Sequence, residues 1–394
     1  MSGPRLIYMD HNATTPLDPR ILQAMMPYLT EHFGNASSTS HVFGLAAAEA
    51  VEAARESTAR LLGCAPAEIV FTSGATESDN TAIKGVAWAL EDKGRHIITT
   101  SVEHRAVLEA CSFLESRGFE VTILPVDRYG VVDPDDLRRS LRTGTILVSV
   151  MHGNSEVGSL QPVEDIGAIC REKGILFHVD ATQTVGKLPV EVERLGADFV
   201  AFSGHKIYGP KGIGALYVRR KPPLALKPLI YGGGQEHGIR SGTLPTHQIV
   251  GMGLAFEIGA REREQDMARI GALRDRLWAG IQSIGDVELN GHAQERVAVL
   301  LNVSFHGVEG ESLQFALREL AVSAGSACSS ASEEASYVLR ALGHSDQLAQ
   351  SSLRFSLGRF TTSEQIDIAV AAVKREVTRL RSFSPQTTGP EKKS

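Results

Sequence analysis

Over its first two thirds this chain alternates short apolar runs with longer amphipathic stretches, and that rhythm constrains the fold more than any other feature. The runs "EIVFTSG", "RHIITTSVEH", "EVTILPV", "TILVSVMH", "ILFHVDA", "ADFVAFSGH" and "IGALYVRR" read as strands. Between them, "ESDNTAIKGVAWALEDKG", "RAVLEACSFLESRG" and "VEDIGAICREKG" have helical periodicity, and each closes on a glycine suited to a left-handed cap. Parallel strands need long crossovers, normally helical, so the pattern predicts an α/β fold: a mainly parallel seven-stranded sheet with helices on both faces. From about residue 260 the texture changes to the charged helical stretch "AREREQDMARIGALRDRLWAGI", followed by mixed strands and helices. The reading is therefore a large domain over residues 14–260 and a smaller α+β domain formed by 1–13 and 261–382. The polar, proline-containing end, 383–394, is expected to be disordered.

Composition narrows the function classes. A chain of 394 residues, 42% of them hydrophobic, can fill a sizeable core. Its formal net charge of -6 argues against a nucleic-acid surface, which needs a basic patch to neutralise phosphates. No apolar run reaches the length of a membrane span, and the start "MSGPRLIYMDHNATT" lacks the apolar core of a signal peptide, so a soluble cytoplasmic protein is expected. Cys64, Cys111, Cys170 and Cys328 lie far apart with no C-x-x-C pair, which suggests neither a compact metal site nor a disulfide framework.

In open α/β sheets ligands bind beyond the carboxyl ends of the strands, so the polar residues that end the strands are the informative ones. Ser73 to Thr76, His104, Ser155 and Glu156, Asp180 and Gln183, and Ser203, His205 and Lys206 occupy those places. "TSGATESDN" offers a strand-to-helix turn whose N–H groups suit a phosphate, although the same pattern is also an ordinary helix cap. Asp180 follows an apolar run and needs a cationic or N–H partner; a structural salt bridge explains it equally well in isolation. His104 could stack, move protons or simply cap its loop. Lys206, an amine drawn into a crevice, suits a Schiff-base nucleophile or a partner for an anion. "YGPKGIG" is not a P-loop, and no G-x-G-x-x-G follows the first strand. A phosphate turn, an aspartate for a pyridinium nitrogen and a lysine for an aldehyde together match pyridoxal 5'-phosphate.

With these residues goes a resemblance. "YMDHNATTPLDPR", "FGNASS", "EIVFTSGATESDN", "VEHRAVLEAC", "HVDATQTVGKLPV", "FSGHKIYGPKGIGALYVRR", "GIRSGTLP", "SAGSACSSAS" and "SSLRFSLGRFTT" resemble the cysteine desulfurases of the IscS and NifS type, within the class V aminotransferase group. The resemblance covers all but the tail. It implies the fold-type I architecture of pyridoxal-phosphate enzymes and a role for each matching residue. Lys206 would hold the cofactor aldehyde and then take the substrate's α-proton; Asp180 would pair with the ring nitrogen and His104 would stack on the ring. Ala75, Thr76, Ser203 and His205 would cradle the phosphate, joined by Thr243 from the other subunit of a homodimer. Gln183 would contact the ring hydroxyl, and Arg354 would clamp the carboxylate of L-cysteine.

Cys328 sits among small residues in "SAGSACSSASEEAS", a setting that packs little and flexes easily, unlike that of a buried structural cysteine. The resemblance makes it the nucleophile that takes the substrate's sulfur as a persulfide, releases alanine and hands the sulfur to an iron–sulfur scaffold protein or to acceptors serving tRNA thiolation. It also implies that Cys328 could ligate an iron–sulfur cluster transiently with that scaffold; no local spacing supports a permanent metal site. Two departures stand out. Ser155 replaces an asparagine that normally touches the cofactor ring, which predicts weaker cofactor positioning, and His237 replaces a common arginine. A selenocysteine lyase, a transaminase of the same fold and a non-catalytic assembly platform are the competing readings. A thiol at Cys328 is needless for a transaminase, and a platform has no use for Lys206, His104 and Asp180.

Overall fold

The computed structural model describes residues 6–224, 226–324 and 335–383. Cys328 and the tail from residue 384 onward, both singled out in the sequence, lie outside the described residues. The strands of the described chain are β1 (Ile7–Tyr8), β2 (Ile69–Thr72), β3 (His96–Thr100), β4 (Glu120–Leu124), β5 (Thr145–Met151), β6 (Leu176–Asp180), β7 (Phe199–Ser203), β8 (Gly214–Val218), β9 (Val287–Leu289), β10 (Leu300–Phe305), β11 (Leu320–Ala321), β12 (Ser323–Ala324) and β13 (Ser352–Ser356). The seven apolar runs are β2 to β8. They form one seven-stranded sheet in the order β2-β8-β7-β6-β5-β3-β4, in which β8 alone runs antiparallel to its neighbours.

This sheet is buried on both faces, which is why its central strands read as unbroken apolar runs. Alternation sorts their side chains: Ile69, Phe71, Val200, Phe202, Ala215 and Tyr217 join one core, whereas Val70, Phe199, Ala201, Leu216 and Val218 join the core on the opposite face. At the edge, β4 leaves Ile123 exposed. Helices Ala75–Leu90, Arg105–Glu115 and Val163–Lys173 fill the expected crossovers.

Their ends correct one expectation. Only the third closes directly on a left-handed glycine, Gly174, with φ of 66°. The other two end on Glu91 and Ser116 in right-handed geometry. Gly94 is glycine for a different reason: a Cβ there would come 2.3 Å from the Gly144 carbonyl oxygen, so the position serves close backbone approach.

A 37-residue helix, Thr246–Gln282, runs through residue 260. Its first half packs Ile249, Met252 and Phe256 into the large sheet's core. Its second half gives Ile270, Leu277 and Ile281 to a separate core built around Val303, Phe305, Phe355 and Val373. That second core sits on an antiparallel sheet of order β12-β13-β10-β9, beside the parallel pair β1 and β11. No helix among the described residues is long and apolar enough to cross a membrane.

Candidate active site

The chain places β4 on one side of β3 and β5 on the other, and such a reversal opens a crevice at the strands' carboxyl ends. A cavity of about 530 Å³ lies there. Its walls bring together Ala75, Thr76, His104, Ser155, Asp180 and Gln183 with Ser203, His205, Lys206 and Arg354. Residues more than 270 positions apart in sequence thus face one space.

Lys206 ends a single 3₁₀ turn, Gly204–Lys206, directly after β7. The turn is laced to the N-terminal segment: the Thr15 N–H and hydroxyl both donate to the His205 carbonyl, at 3.1 and 2.8 Å, and the Tyr208 N–H donates to the Thr15 hydroxyl at 2.8 Å. Tyr208 adopts a left-handed φ of 67°, and the Arg359 guanidinium stacks on its ring at 4.5 Å while pairing with Asp18 and Asp266. So braced, Lys206 directs its Nζ to the carbonyls of Asn12, at 2.6 Å, and Ala13, at 2.9 Å.

On the opposite wall, Gly74 caps the Ala75–Leu90 helix, whose first-turn N–H groups have no intrahelical acceptor and carry the positive end of the helix dipole. Ser203 and His205 line the same cavity. Burial, then the charges of Lys206, Lys211 and Lys187, lower the His205 pKa to about 4, so at neutral pH it is an uncharged imidazole. The glycines of "YGPKGIG" make this packing feasible. Gly212 has φ of 80°, and a Cβ on Gly214 would meet the Gly74 Cα and the Phe202 carbonyl at 2.6 Å.

Asp180 ends β6, nearly buried, and its Oδ1 accepts the Thr182 N–H at 2.9 Å, the N–H partner the sequence called for. Burial, with Asp180 and Glu103 adding repulsion, pushes the Asp79 carboxyl well above its usual range. Burial likewise raises Glu103 to about 8 and lowers His178, whose Nε2 lies 3.4 Å from Asp79 Oδ1, to about 4. His104 both caps and lines the cavity. Its Nδ1 accepts the Ala106 N–H at 3.1 Å, which in the neutral ring puts the proton on Nε2.

Arg354 donates from Nη2 to Asp10, at 2.7 Å, and from Nη1 to the Ser155 carbonyl, at 3.0 Å. Its Nε is buried with no hydrogen-bond partner among the described residues. Ser155 therefore enters the site through its backbone, which no side-chain comparison could show. Gln183 donates to the Asn12 carbonyl at 3.2 Å and accepts from the buried Lys187 amine at 2.9 Å. Burial, reinforced by Lys206 and Arg354, lowers Lys187 to about 7.

Asn12 is the residue that sequence reasoning missed. Its carbonyl takes Lys206 and Gln183, and its side chain donates to the Ser155 carbonyl at 3.2 Å, joining the amine wall to the arginine wall. The only signal was its position in "DHNATT". Thr243 is exposed and outside the cavity lining of this chain. Burial raises the thiols of Cys64, Cys111 and Cys170 to about 12, so none is a reactive thiolate.

These donors fit pyridoxal 5'-phosphate. A helix N-terminus with hydroxyls suits the phosphate, a nearly buried carboxylate suits a ring nitrogen, and an amine braced on two carbonyls suits an aldehyde. Comparisons with known proteins agree. The aminotransferase class-V family model matches residues 7–368. A cysteine desulfurase IscS from Salmonella schwarzengrund is 58% identical over 381 residues, covering 96% of this chain and 94% of the relative. Among solved structures, a NifS-like protein superposes with a TM-score of 0.89 at 39% identity, over 95% of this chain and 100% of its own. SspA in complex with cysteine gives a TM-score of 0.81 at 39% identity, over 90% of this chain and 100% of its own. The chain belongs to the class V aminotransferase family, among the pyridoxal-phosphate-dependent cysteine desulfurases of the IscS and NifS type.

Proposed function

We propose that the cavity takes L-cysteine and that the chain's residues divide the reaction as follows. The observation that carries the reading is the convergence of the Lys206 amine, the Asp180 carboxylate and the Arg354 guanidinium on one cavity. Pyridoxal phosphate, when bound, supplies the electron-withdrawing ring that weakens bonds next to the substrate's amine. Arg354 orients the substrate carboxylate through charge-assisted bonds, sharing its guanidinium with Asp10. Lys206 anchors the cofactor and then, as a free amine, moves the α-proton. His104, whose Nδ1 accepts the Ala106 N–H, lines the same cavity and would stack on the cofactor ring. The Cys328 thiolate attacks the substrate sulfur; an S–S bond forms as the Cβ–S bond breaks, and the carbon keeps the electron pair and is protonated to give alanine.

The same reading takes the protein to be a cytoplasmic homodimer with Thr243 reaching the partner's phosphate site, passing sulfur to a scaffold protein and other acceptors. Support for the dimer comes from a cluster of exposed apolar side chains near the N-terminal helices, Leu22, Met26, Leu29, Phe33, Val42 and Phe43, with the Phe33 and Phe43 rings stacked. A patch of this kind marks an interaction surface.

The test is product analysis. With L-cysteine and a thiol reductant, sulfide and alanine are expected to appear in equal amounts; pyruvate, or alanine without sulfide, would contradict the assignment. A second expectation concerns Ser155. Restoring an amide with Ser155→Asn is expected to tighten cofactor binding about three- to tenfold, the worth of one added hydrogen bond. An unchanged dissociation constant would show that the backbone carbonyl is this residue's whole contribution.

A further inference from the structure

The phosphate wall contains a group that does not belong beside an anion. Glu77 lines the cavity one residue after Thr76, in the first turn of the Ala75–Leu90 helix. Its Oε2 accepts the Ser73 N–H at 2.8 Å, closing the turn between β2 and the helix. Its Oε1 accepts from Arg240 Nε at 2.9 Å, and among the described residues no other cation is paired with it. Burial alone would raise the Glu77 carboxyl, but the bonds from Arg240 and Ser73 outweigh it and hold the group below its usual range, so the carboxylate is charged at neutral pH.

Arg240 comes from a loop far along the chain, and that loop is anchored. Glu236 accepts both terminal nitrogens of the buried Arg55, at 2.7 and 2.8 Å, and also the Phe71 N–H of β2 at 2.7 Å. Glu236 and His237 hold left-handed φ values of 47° and 57°, a conformation that persists only where contacts of this kind enforce it. The anchor fixes the loop from which Arg240 reaches Glu77.

We propose that Arg240 is a positioning residue for the phosphate end of the cofactor: paired with Glu77, it cancels a carboxylate charge inside an anion cradle and fixes the Ser73–Gly74 turn. The proposal rests on the reading of this cavity as a pyridoxal-phosphate site. Without the arginine, Glu77 would compete with the phosphate for the positive end of the helix and repel it.

The experiment titrates cofactor-free full-length protein with pyridoxal 5'-phosphate and, separately, with pyridoxal, following absorbance. Arg240→Met is expected to weaken pyridoxal-phosphate binding roughly tenfold or more, as an unpaired charge a few ångströms away would. Pyridoxal, which lacks the phosphate, is expected to bind R240M as it binds the parent. The double variant R240M/E77Q, with both charges gone, is expected to recover affinity for the phosphate ester, and Arg240→Lys to fall between. Unchanged binding by R240M, or an equal loss for both ligands that E77Q does not rescue, would overturn the proposal. Should R240M not fold, Glu77→Gln alone decides: it is expected to bind at least as tightly as the parent, and a tenfold loss would overturn the proposal. If the parent protein itself takes up no pyridoxal phosphate, the reading of the cavity fails instead.

Discussion

Lys206→Ala is expected to give a folded protein that lacks the visible absorption of lysine-bound cofactor and turns over L-cysteine at least about 10⁴-fold more slowly, the upper range for a positioned proton-transfer group. The size of the effect follows from where the amine sits. Lys206 Nζ is held on the carbonyls of Asn12 and Ala13, within a turn stitched to the N-terminal segment by three further hydrogen bonds through Thr15. The neighbouring Lys187 amine is buried and already donates to Gln183. Loss of colour with retained thermal stability would assign the effect to chemistry. A Lys206→Ala protein that still showed parent-like absorption and turnover would remove the lysine from the mechanism. Lys206→Arg, which keeps a positive charge but cannot attack an aldehyde, is expected to behave like alanine and so to separate charge from nucleophilicity.

What could be read from the sequence, and what could not, follows from the range of the interactions. The strands were legible because a sheet covered on both faces demands apolar residues at every position, so β5, β7 and β8 announce themselves. The polar residues at their ends were legible because topology sends all those ends to one crevice. Helix ends were less so: a glycine after an amphipathic stretch suggests a cap, yet Gly94 answers to the Gly144 carbonyl on another segment. The contacts of Asn12 and Arg240 could not be read from the sequence, since each acts through partners 143 to 194 residues away. Ser155 shows a subtler limit. Side-chain comparison weighs its hydroxyl alone, while the Arg354 guanidinium also uses its carbonyl, which every residue type provides.

Cys328→Ala is expected to separate cofactor chemistry from sulfur transfer. The variant should keep the parent's absorption and still respond spectrally to L-cysteine, because Lys206, Asp180, His104 and Arg354 are all intact, yet release sulfide roughly 10³-fold more slowly or worse, as when a nucleophile that works as part of a unit is removed. Cys64, Cys111 and Cys170 offer no substitute. Burial holds their thiols near 12, where the thiolate fraction at neutral pH is negligible, and none lines the cavity. The persulfide gives a second readout: mass analysis after a single turnover without reductant should find one extra sulfur on the peptide containing Cys328 and none on the others. Sulfide release at the parent rate from Cys328→Ala would mean that the sulfur leaves without passing through a protein thiol. The reaction would then be a lyase elimination, and the small-residue setting of "SAGSACSSAS" would need another explanation.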